Sequence, residues 1–356
     1  MMLTSSLPAA CIAAIVALAA AAGCALILGL LLRTGLAWRI ATDVPNHRSL
    51  HTRPTPRIGG WGIVPMVALA IALCAPSLWL IAVGMACLAL VSQFDDRHGL
   101  PARVRFAAHL AAVLALIVVY PAPVPWWALA VLALLMLWLI NLYNFMDGAN
   151  GLAGGMALFG FGAYGIAALG GPHIMAPLAC ASMAVAGAAA GFLCYNLHPA
   201  RLFLGDAGSI STGFLAGALG YWGWRDGAWP VWFPALVFAP FIADASVTLL
   251  KRLARGEKFW HAHREHYYQR MIRMGSSHAR VALGWYALML AGVVLALWAR
   301  HQSLVMQWCS VIAWAIVLVL IGARIDRRWQ RFVHTHAVHP VSVCGQPAPV
   351  HHADVS

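Results

Sequence analysis

Four aspartates stand where long apolar runs end. Phe94-Asp95-Asp96-Arg97 closes one run, and Asn141-Leu142-Tyr143-Asn144-Phe145-Met146-Asp147-Gly148-Ala149-Asn150-Gly151-Leu152 leaves another. Gly205-Asp206-Ala207-Gly208-Ser209 opens a third. A charged group at the centre of a membrane span costs about 2.5–3.5 kcal/mol, so an acid there is a functional candidate. At a junction the cost is smaller, and a lone Asp reads as a helix cap facing water. Four such carboxylates amid polar, Gly-rich sequence weaken that reading. Asn141 and Asn144 are three apart and share a helix face, where they either bond a neighbouring helix or serve a ligand. Asp-Gly-Ala-Asn-Gly makes a tight turn whose backbone can approach a ligand closely. Asp206 or Ser209 could cap the helix that follows, whose bare N–H groups suit an anion.

The chemistry these residues invite is phosphoryl transfer with a hard cation. Mg²⁺ takes oxygen ligands, one or two protein carboxylates, and completes its shell with phosphates and water. Two basic loops would hold the phosphates. Residues 45–60 carry Arg48, His51, Arg53 and Arg57, and residues 251–273 carry Lys251, Lys258, His261, His263, Arg264, His266, Arg270 and Arg273. Positive-inside charge bias explains either loop without any function. His261-x-His263-x-x-His266 could be a His₃ zinc site but lacks flanking support. The eight cysteines are too scattered for a zinc pattern or a disulfide framework.

The elements that must position these groups are membrane helices. The chain has 356 residues, 62% hydrophobic and only 10% charged, whereas soluble domains run near 25% charged. Runs long enough to span, about 20 residues, recur to about residue 322. Eleven spans are expected, near 8–32, 58–75, 78–94, 104–120, 125–145, 152–170, 174–196, 208–224, 230–250, 280–299 and 304–323. This is an all-α, polytopic membrane helix bundle; the helix-length runs argue against a β-barrel. Ala22-Gly23-Cys24 faintly resembles a lipoprotein cleavage site, but no basic n-region precedes it, so the first span is read as uncleaved. The net charge of +12 reflects loop bias rather than nucleic-acid binding. Alternate loops hold 21 Lys+Arg on one side and 2 on the other, which puts the N-terminus outside and the C-terminus in the cytoplasm. Residues 1–323 form one catalytic domain with active-site loops 33–57, 95–105, 146–151, 198–206 and 251–279. Residues 324–356 are expected to be a basic, His-containing, disordered cytoplasmic tail.

At these residues the chain resembles the polyprenyl-phosphate N-acetylhexosamine-1-phosphate transferases, which include the phospho-MurNAc-pentapeptide transferases. The resemblance covers about residues 43–275. It runs in order through Pro45-Asn46 to Pro56-Arg57-x-Gly59-Gly60, Asp95-Asp96, Asn141 to Leu152, Gly205-Asp206-x-Gly208-Ser209, and His263-Arg264-Glu265-His266. Relatives often carry adjacent histidines in the last motif, where this chain has Arg264 and Glu265 between them. The resemblance implies transfer of a sugar-1-phosphate from a UDP-N-acetylhexosamine to undecaprenyl phosphate, with release of UMP, to start a bacterial surface polysaccharide such as O-antigen. It implies Mg²⁺, or Mn²⁺ in its place, held by Asp206 and Asn144. It implies catalytic roles for Asp95, Asp96, His263 and His266. Asn46, His51, Arg57, Gly59, Asp147, Asn150 and Arg264 would bind substrate, with Asp147 and Asn150 on the uridine. Asp244, deeper in the ninth span, would support the site or merely pack helices. The implied setting is the bacterial inner membrane, with the active site on the cytoplasmic face and a homodimer compatible.

Rival classes fit less well. An intramembrane aspartyl protease wants Gly-x-Gly-Asp, but position 203 is Phe. A CDP-alcohol phosphotransferase wants Asp-Gly-x-x-Ala-Arg, which Asp147 to Leu152 fails. A transporter or flippase is the main alternative; it would place charges at the midplane and show repeated halves, neither of which is present.

Overall fold

The computed structural model describes residues 8–45, 53–171, 173–258 and 263–338. Its helices are α1 (Ala9–Arg33), α2 (Leu36–Ile40), α3 (Gly59–Cys74), α4 (Trp79–His98), α5 (Ala102–Val119), α6 (Trp126–Phe145) and α7 (Leu152–Leu169). There follow α8 (Ala176–Asn196), α9 (Asp206–Arg225), α10 (Phe233–Val237), α11 (Ala239–Ala254), α12 (Tyr267–Arg273), α13 (His278–Ala299) and α14 (Leu304–Val338). Two strands, β1 (Thr42–Asp43) and β2 (Thr55–Pro56), pair antiparallel. The protein is an all-α polytopic bundle. Among the described residues eight helical segments are long and apolar enough to cross a membrane, and α3 is a shorter apolar helix.

The bundle is centred on α7, α8 and α9, whose faces are buried nearly all round. Membrane helices associate through close packing of small residues, because lipid tails already solvate apolar side chains. That rule is visible where α1 meets α8. A methyl group at Gly187 would lie 2.0 Å from the Ala17 carbonyl oxygen, and one at Gly191 would lie 2.3 Å from that of Ala21. Small residues four apart on each helix thus bring the two backbones together. By contrast α14 is mostly lipid-facing, with Ile312, Ile316, Val319 and Leu320 each more than half exposed.

Three expectations change. The span expected at 230–250 is two helices, α10 and α11, broken at Phe238; Pro240, in the first turn of α11, has no N–H to continue a single ladder. The last helix continues to Val338, so residues 324–338, expected in a disordered tail, are helical. The loops expected at 33–57 and 251–279 are not plain loops: the first holds α2, β1 and β2, and the second holds α12.

Candidate functional site

The site begins with backbone pairing between segments distant in sequence. The Arg57 amide donates to the Ala41 carbonyl, and the Phe203 amide donates to Pro56. The amides of Ile58 and Gly59 donate to Phe203, and that of Gly60 donates to Leu204. The segment before α9 therefore satisfies the first N–H groups of α3, which any helix leaves without intrahelical partners. The two helix starts touch: a methyl at Gly60 would lie 2.5 Å from the Gly208 nitrogen. Gly205 is the N-cap of α9 with φ 73°, and a Cβ there would sit 2.9 Å from the Arg57 carbonyl oxygen. Only glycine suits that position. Neither Asp206 nor Ser209 caps the helix; Asp206 is its first residue.

This weave puts the Arg57 guanidinium among acids. Its Nη2 donates to Asp206 Oδ1 at 2.8 Å, and its Nη1 lies 4.0 Å from Asp96 Oδ1. The two carboxylate side chains are 17% and 14% exposed, reachable yet largely desolvated. Burial works against the arginine charge, but Asp206, Asp96, Asp43 and Asp147 outweigh it and raise its pKa above the ordinary value. Burial, and then the neighbouring Asp206 and Asp43, hold the Asp147 carboxyl well above the usual carboxylate range, against the pull of Arg57 and of the Gly205 amide that donates to it. Among the described residues Asp96, Asp147 and Asp206 thus crowd around one guanidinium. Such an excess of hard oxygen donors fits a divalent cation better than a second arginine. The fit is one of charge and donor type: among the described residues no three His, Cys, Asp or Glu are already arranged as a metal cage. Asn144 Oδ1 accepts from the Ser209 hydroxyl at 2.9 Å, which ties α6 to the first turn of α9 beside Asp206.

The paired aspartates part company. Asp95 accepts from the Leu100 amide at 2.6 Å and from Arg105 at 2.9 Å. It fastens the turn between α4 and α5, while Asp96 faces Arg57. Adjacent helical residues point about 100° apart, so such a division is what the geometry allows. Gly59 is placed by packing. It is buried, and a Cβ there would strike Phe192 and Leu204, so its role is to let α3 pack on α8.

The turn after α6 is held from several sides. Asn150 pairs with His198 Nδ1 at 3.0 Å, the Gly151 amide donates to Asn196 Oδ1, and Tyr286 donates to the Gly151 carbonyl. The histidine loop leans on the same turn. Tyr268 of α12 donates to the Phe145 carbonyl, and the His266 ring stacks 6.3 Å from that of Phe145.

Asp244 organises that loop. Its carboxylate, 2% exposed, accepts from the Tyr267 amide at 2.8 Å and the Tyr268 amide at 3.2 Å. These are unpaired N–H groups of the first turn of α12, so the acid substitutes for a cap. His266 Nδ1 lies 3.2 Å from the same carboxylate. His266 is also the N-cap residue of α12 and shares a capping box with Gln269. His263 is held differently: its Nδ1 accepts from the Glu265 amide at 3.3 Å, leaving the ring proton on Nε2. Burial, then His266 and Arg252, push His263 down to about 4. Near neutral pH it is a neutral donor through Nε2, whereas His266 donates from Nδ1. Arg264 sits between them, its carbonyl accepting from Arg273. Asn46, His51, Arg48 and His261 lie outside the described residues.

The geometry therefore gathers Arg57, Asp96, Asp147 and Asp206, and brings the histidine loop against the same turn. It ties Asp95 to the turn between α4 and α5 and packs Gly59 between α3 and α8. Sequence reading left Asp43, Asn196, His198 and Tyr268 out of the site. Only Asp43 carried a signal, as one of eleven acids in the chain; the others act through contacts with residues far away in sequence.

The chain matches the family described as glycosyl transferase family 4 over residues 78–223. That stretch contains the paired aspartates, the Asn/Asp turn and the start of α9. It leaves out the Arg57 loop and the histidine loop. Over 300 residues the chain is 25% identical to a probable undecaprenyl-phosphate N-acetylglucosaminyl 1-phosphate transferase of Bacillus subtilis, covering 79% of this chain and 82% of that protein. Over 331 residues it is 29% identical to a decaprenyl-phosphate N-acetylglucosaminephosphotransferase of Mycolicibacterium smegmatis, covering 79% and 81%. A stretch of 94 residues is 44% identical to a phospho-N-acetylmuramoyl-pentapeptide-transferase of Moorella thermoacetica, covering 26% and 29%.

Proposed function

From the chain's kinship with the polyprenyl-phosphate N-acetylhexosamine-1-phosphate transferases, we propose that it moves N-acetylhexosamine-1-phosphate from a UDP-sugar to undecaprenyl phosphate. UMP leaves, and the product is an undecaprenyl-diphospho-sugar that starts a bacterial surface polysaccharide, O-antigen or a similar glycan. The observation that carries this reading is the gathering of Asp96, Asp147 and Asp206 around Arg57 at the ends of membrane helices. A transporter would have no use for so much charge concentrated at one face rather than at the midplane.

In this reading an oxygen of the lipid phosphate attacks the β-phosphorus of the UDP-sugar, and the bond from that phosphorus to the UMP oxygen breaks. The lipid phosphate is mostly dianionic near neutral pH, since the second pKa of a phosphate monoester is about 6. Asp96 accepts any proton that remains and orients the attacking oxygen. Asp95 positions Asp96 by anchoring the end of α4. Asp206, with Asn144 beside it, would hold Mg²⁺ or Mn²⁺, which would supply neutralisation of charge on the diphosphate. Arg57 exchanges its bond to Asp206 for the diphosphate. His263 donates from Nε2 to a phosphate oxygen, and Arg264 adds charge to the same region. Asp147 and Asn150 face the uridine. The active site belongs on the cytoplasmic side of the inner membrane, where the basic loops lie.

The test offers a panel of UDP-N-acetylhexosamines with undecaprenyl phosphate to the purified protein and measures UMP. One sugar is expected to release UMP in a lipid- and cation-dependent way. Passage of intact UDP-sugar across a vesicle wall with no UMP would favour the transporter instead.

A further inference from the structure

The histidine loop is the stretch 255–266 between α11 and α12, described at 255–258 and 263–266. α12 has only seven residues, and an isolated helix shorter than about 12–15 is marginal in water, so its position must be imposed from outside. On one side Tyr268 donates to the Phe145 carbonyl at the end of α6. Tyr267, its neighbour, points about 100° away around the helix. Its hydroxyl donates to Asp326 of α14 at 3.1 Å.

Asp326 joins the two ends of the loop. Its Oδ2 pairs with Lys251, in the last turn of α11. Its Oδ1 accepts from Arg270 of α12 at 2.9 Å. The Arg270 side chain is 7% exposed, so this is not a solvent-screened surface pair of the kind that contributes little. Arg270 carries the connection inward: its Nη2 lies 3.5 Å from Glu265, between the two histidines, and Glu265 accepts from Arg255 at 2.6 Å. Gly322, Asp326 and Trp329 are spaced to share one face of α14. A Cβ at Gly322 would lie 3.2 Å from the Tyr267 hydroxyl, and Arg273 sits over the Trp329 ring, 4.6 Å from its centroid. Arg324, Arg327 and Arg328, off that face, are exposed.

We propose that Asp326 is a positioning residue for the histidine loop. By bonding Lys251 and Arg270 it fixes both ends of the loop before substrate arrives, so His263 meets the diphosphate without the loop having to be ordered first. Asp326 acts only through those partners. A loop already held in its binding conformation spares the substrate the cost of ordering it. Once substrate is bound, the loop is the same with or without the tether. Losing the tether therefore weakens binding and leaves the chemical step alone, which is a rise in KM at constant kcat. The role in binding rests on the proposed reaction; the tether rests on the ion pairs alone.

The test compares the full chain with Asp326→Asn, Asp326→Glu and Trp329→Leu in one detergent. Amide hydrogen exchange is followed over residues 263–275. UMP release is measured with undecaprenyl phosphate and the UDP-N-acetylhexosamine that the panel selects, each varied separately. Asp326→Asn is expected to speed exchange there about tenfold and to raise KM for the UDP-sugar about tenfold, or about 1.4 kcal/mol, with kcat within about twofold and KM for the lipid unchanged. Asp326→Glu keeps the charge and should recover most of both. Trp329→Leu leaves the ion pairs in place and should raise KM about threefold; it reports the same split if Asp326→Asn fails to fold. Unchanged exchange in Asp326→Asn, faster exchange with an unchanged KM, or Asp326→Glu no better than Asp326→Asn would each overturn the proposal. A wild type that releases no UMP from any sugar would defeat the proposed reaction instead. Exchange alone then judges the tether, upheld only by faster exchange in Asp326→Asn that Asp326→Glu restores.

Discussion

Among the described residues Asp206 bonds Arg57 and shares it with Asp96 and Asp147. Asp244 accepts from two backbone amides, one imidazole and the Thr248 hydroxyl, and among the described residues shares them with no other acid. The acids of the first region oppose one another's ionisation: burial and then Asp206 push Asp96 up to about 6, and Asp147 is held well above the usual carboxylate range. The second is internally satisfied. Crowded acids either hold protons or gain from an added cation, whereas a saturated carboxylate fixes the residues around it. In the proposed reading the carboxylate cluster is the place for a cation and phosphates, and the histidine loop, held on the end of α6 through Tyr268 and His266, is a prebuilt arm beside it.

Replacing charges tests that division most strongly. Asp206→Asn and Asp96→Asn are each expected to lower UMP release about a thousandfold, roughly 4 kcal/mol of barrier. Their melting temperatures should equal or exceed the wild type, because each removes an acid from a crowded cluster. Asp95→Asn should show the reverse pattern, a lower melting temperature with turnover reduced far less. If Asp95→Asn and Asp96→Asn lose turnover equally, the separation of the pair is wrong.

Removing Asp244 should break the second region. Asp244→Asn keeps one acceptor oxygen but loses the charge that four donors share, and bonds to charged groups are worth about 1.5–3 kcal/mol each. We expect turnover to fall about thirtyfold and protease sensitivity to rise within residues 255–275. Unchanged cleavage there would detach Asp244 from the loop.

The smallest effect concerns pH. His263 titrates at about 4 in the folded protein, against about 6.5 when unfolded. The unfolded chain binds the extra proton between those values, so stability falls as pH drops from about 6.5 to about 4 and is unaffected above that window. His263→Gln, which keeps an N–H donor, should flatten that acid loss of melting temperature. It should also leave the pH–rate profile unchanged from pH 6 to 8. A rate limb in the wild type near pH 6.5 that vanishes in His263→Gln would show that the ring works by exchanging its proton.

Much of this was legible in the chain. The bundle was readable because apolar runs of span length declare themselves by composition, and Asp96, Asp147 and Asp206 stood out because acids are scarce. Their assembly around Arg57 was not readable. It depends on residue 57 bridging to residue 203, and no local pattern marks two short segments that pair across about 150 positions. The break at Phe238 had a visible cause in Pro240, yet a proline in the first turn of a helix and one inside a span look alike without the partner helices. Asp95 and Asp96 are the same residue side by side; only the Leu100 amide and Arg105 separate their roles. The continuation of α14 to Val338 went unread because its polar residues look like a tail until Asp326 is seen pairing with Lys251 and Arg270.

The central claim is that the carboxylate cluster, and not the histidine loop, seats the divalent cation. Electron paramagnetic resonance with Mn²⁺ measures this directly on the wild type, Asp206→Asn and His263→Ala in the same detergent. The account predicts one bound Mn²⁺ per chain in the wild type, retained in His263→Ala and lost in Asp206→Asn. Mn²⁺ retained by Asp206→Asn, or lost from His263→Ala, would contradict it.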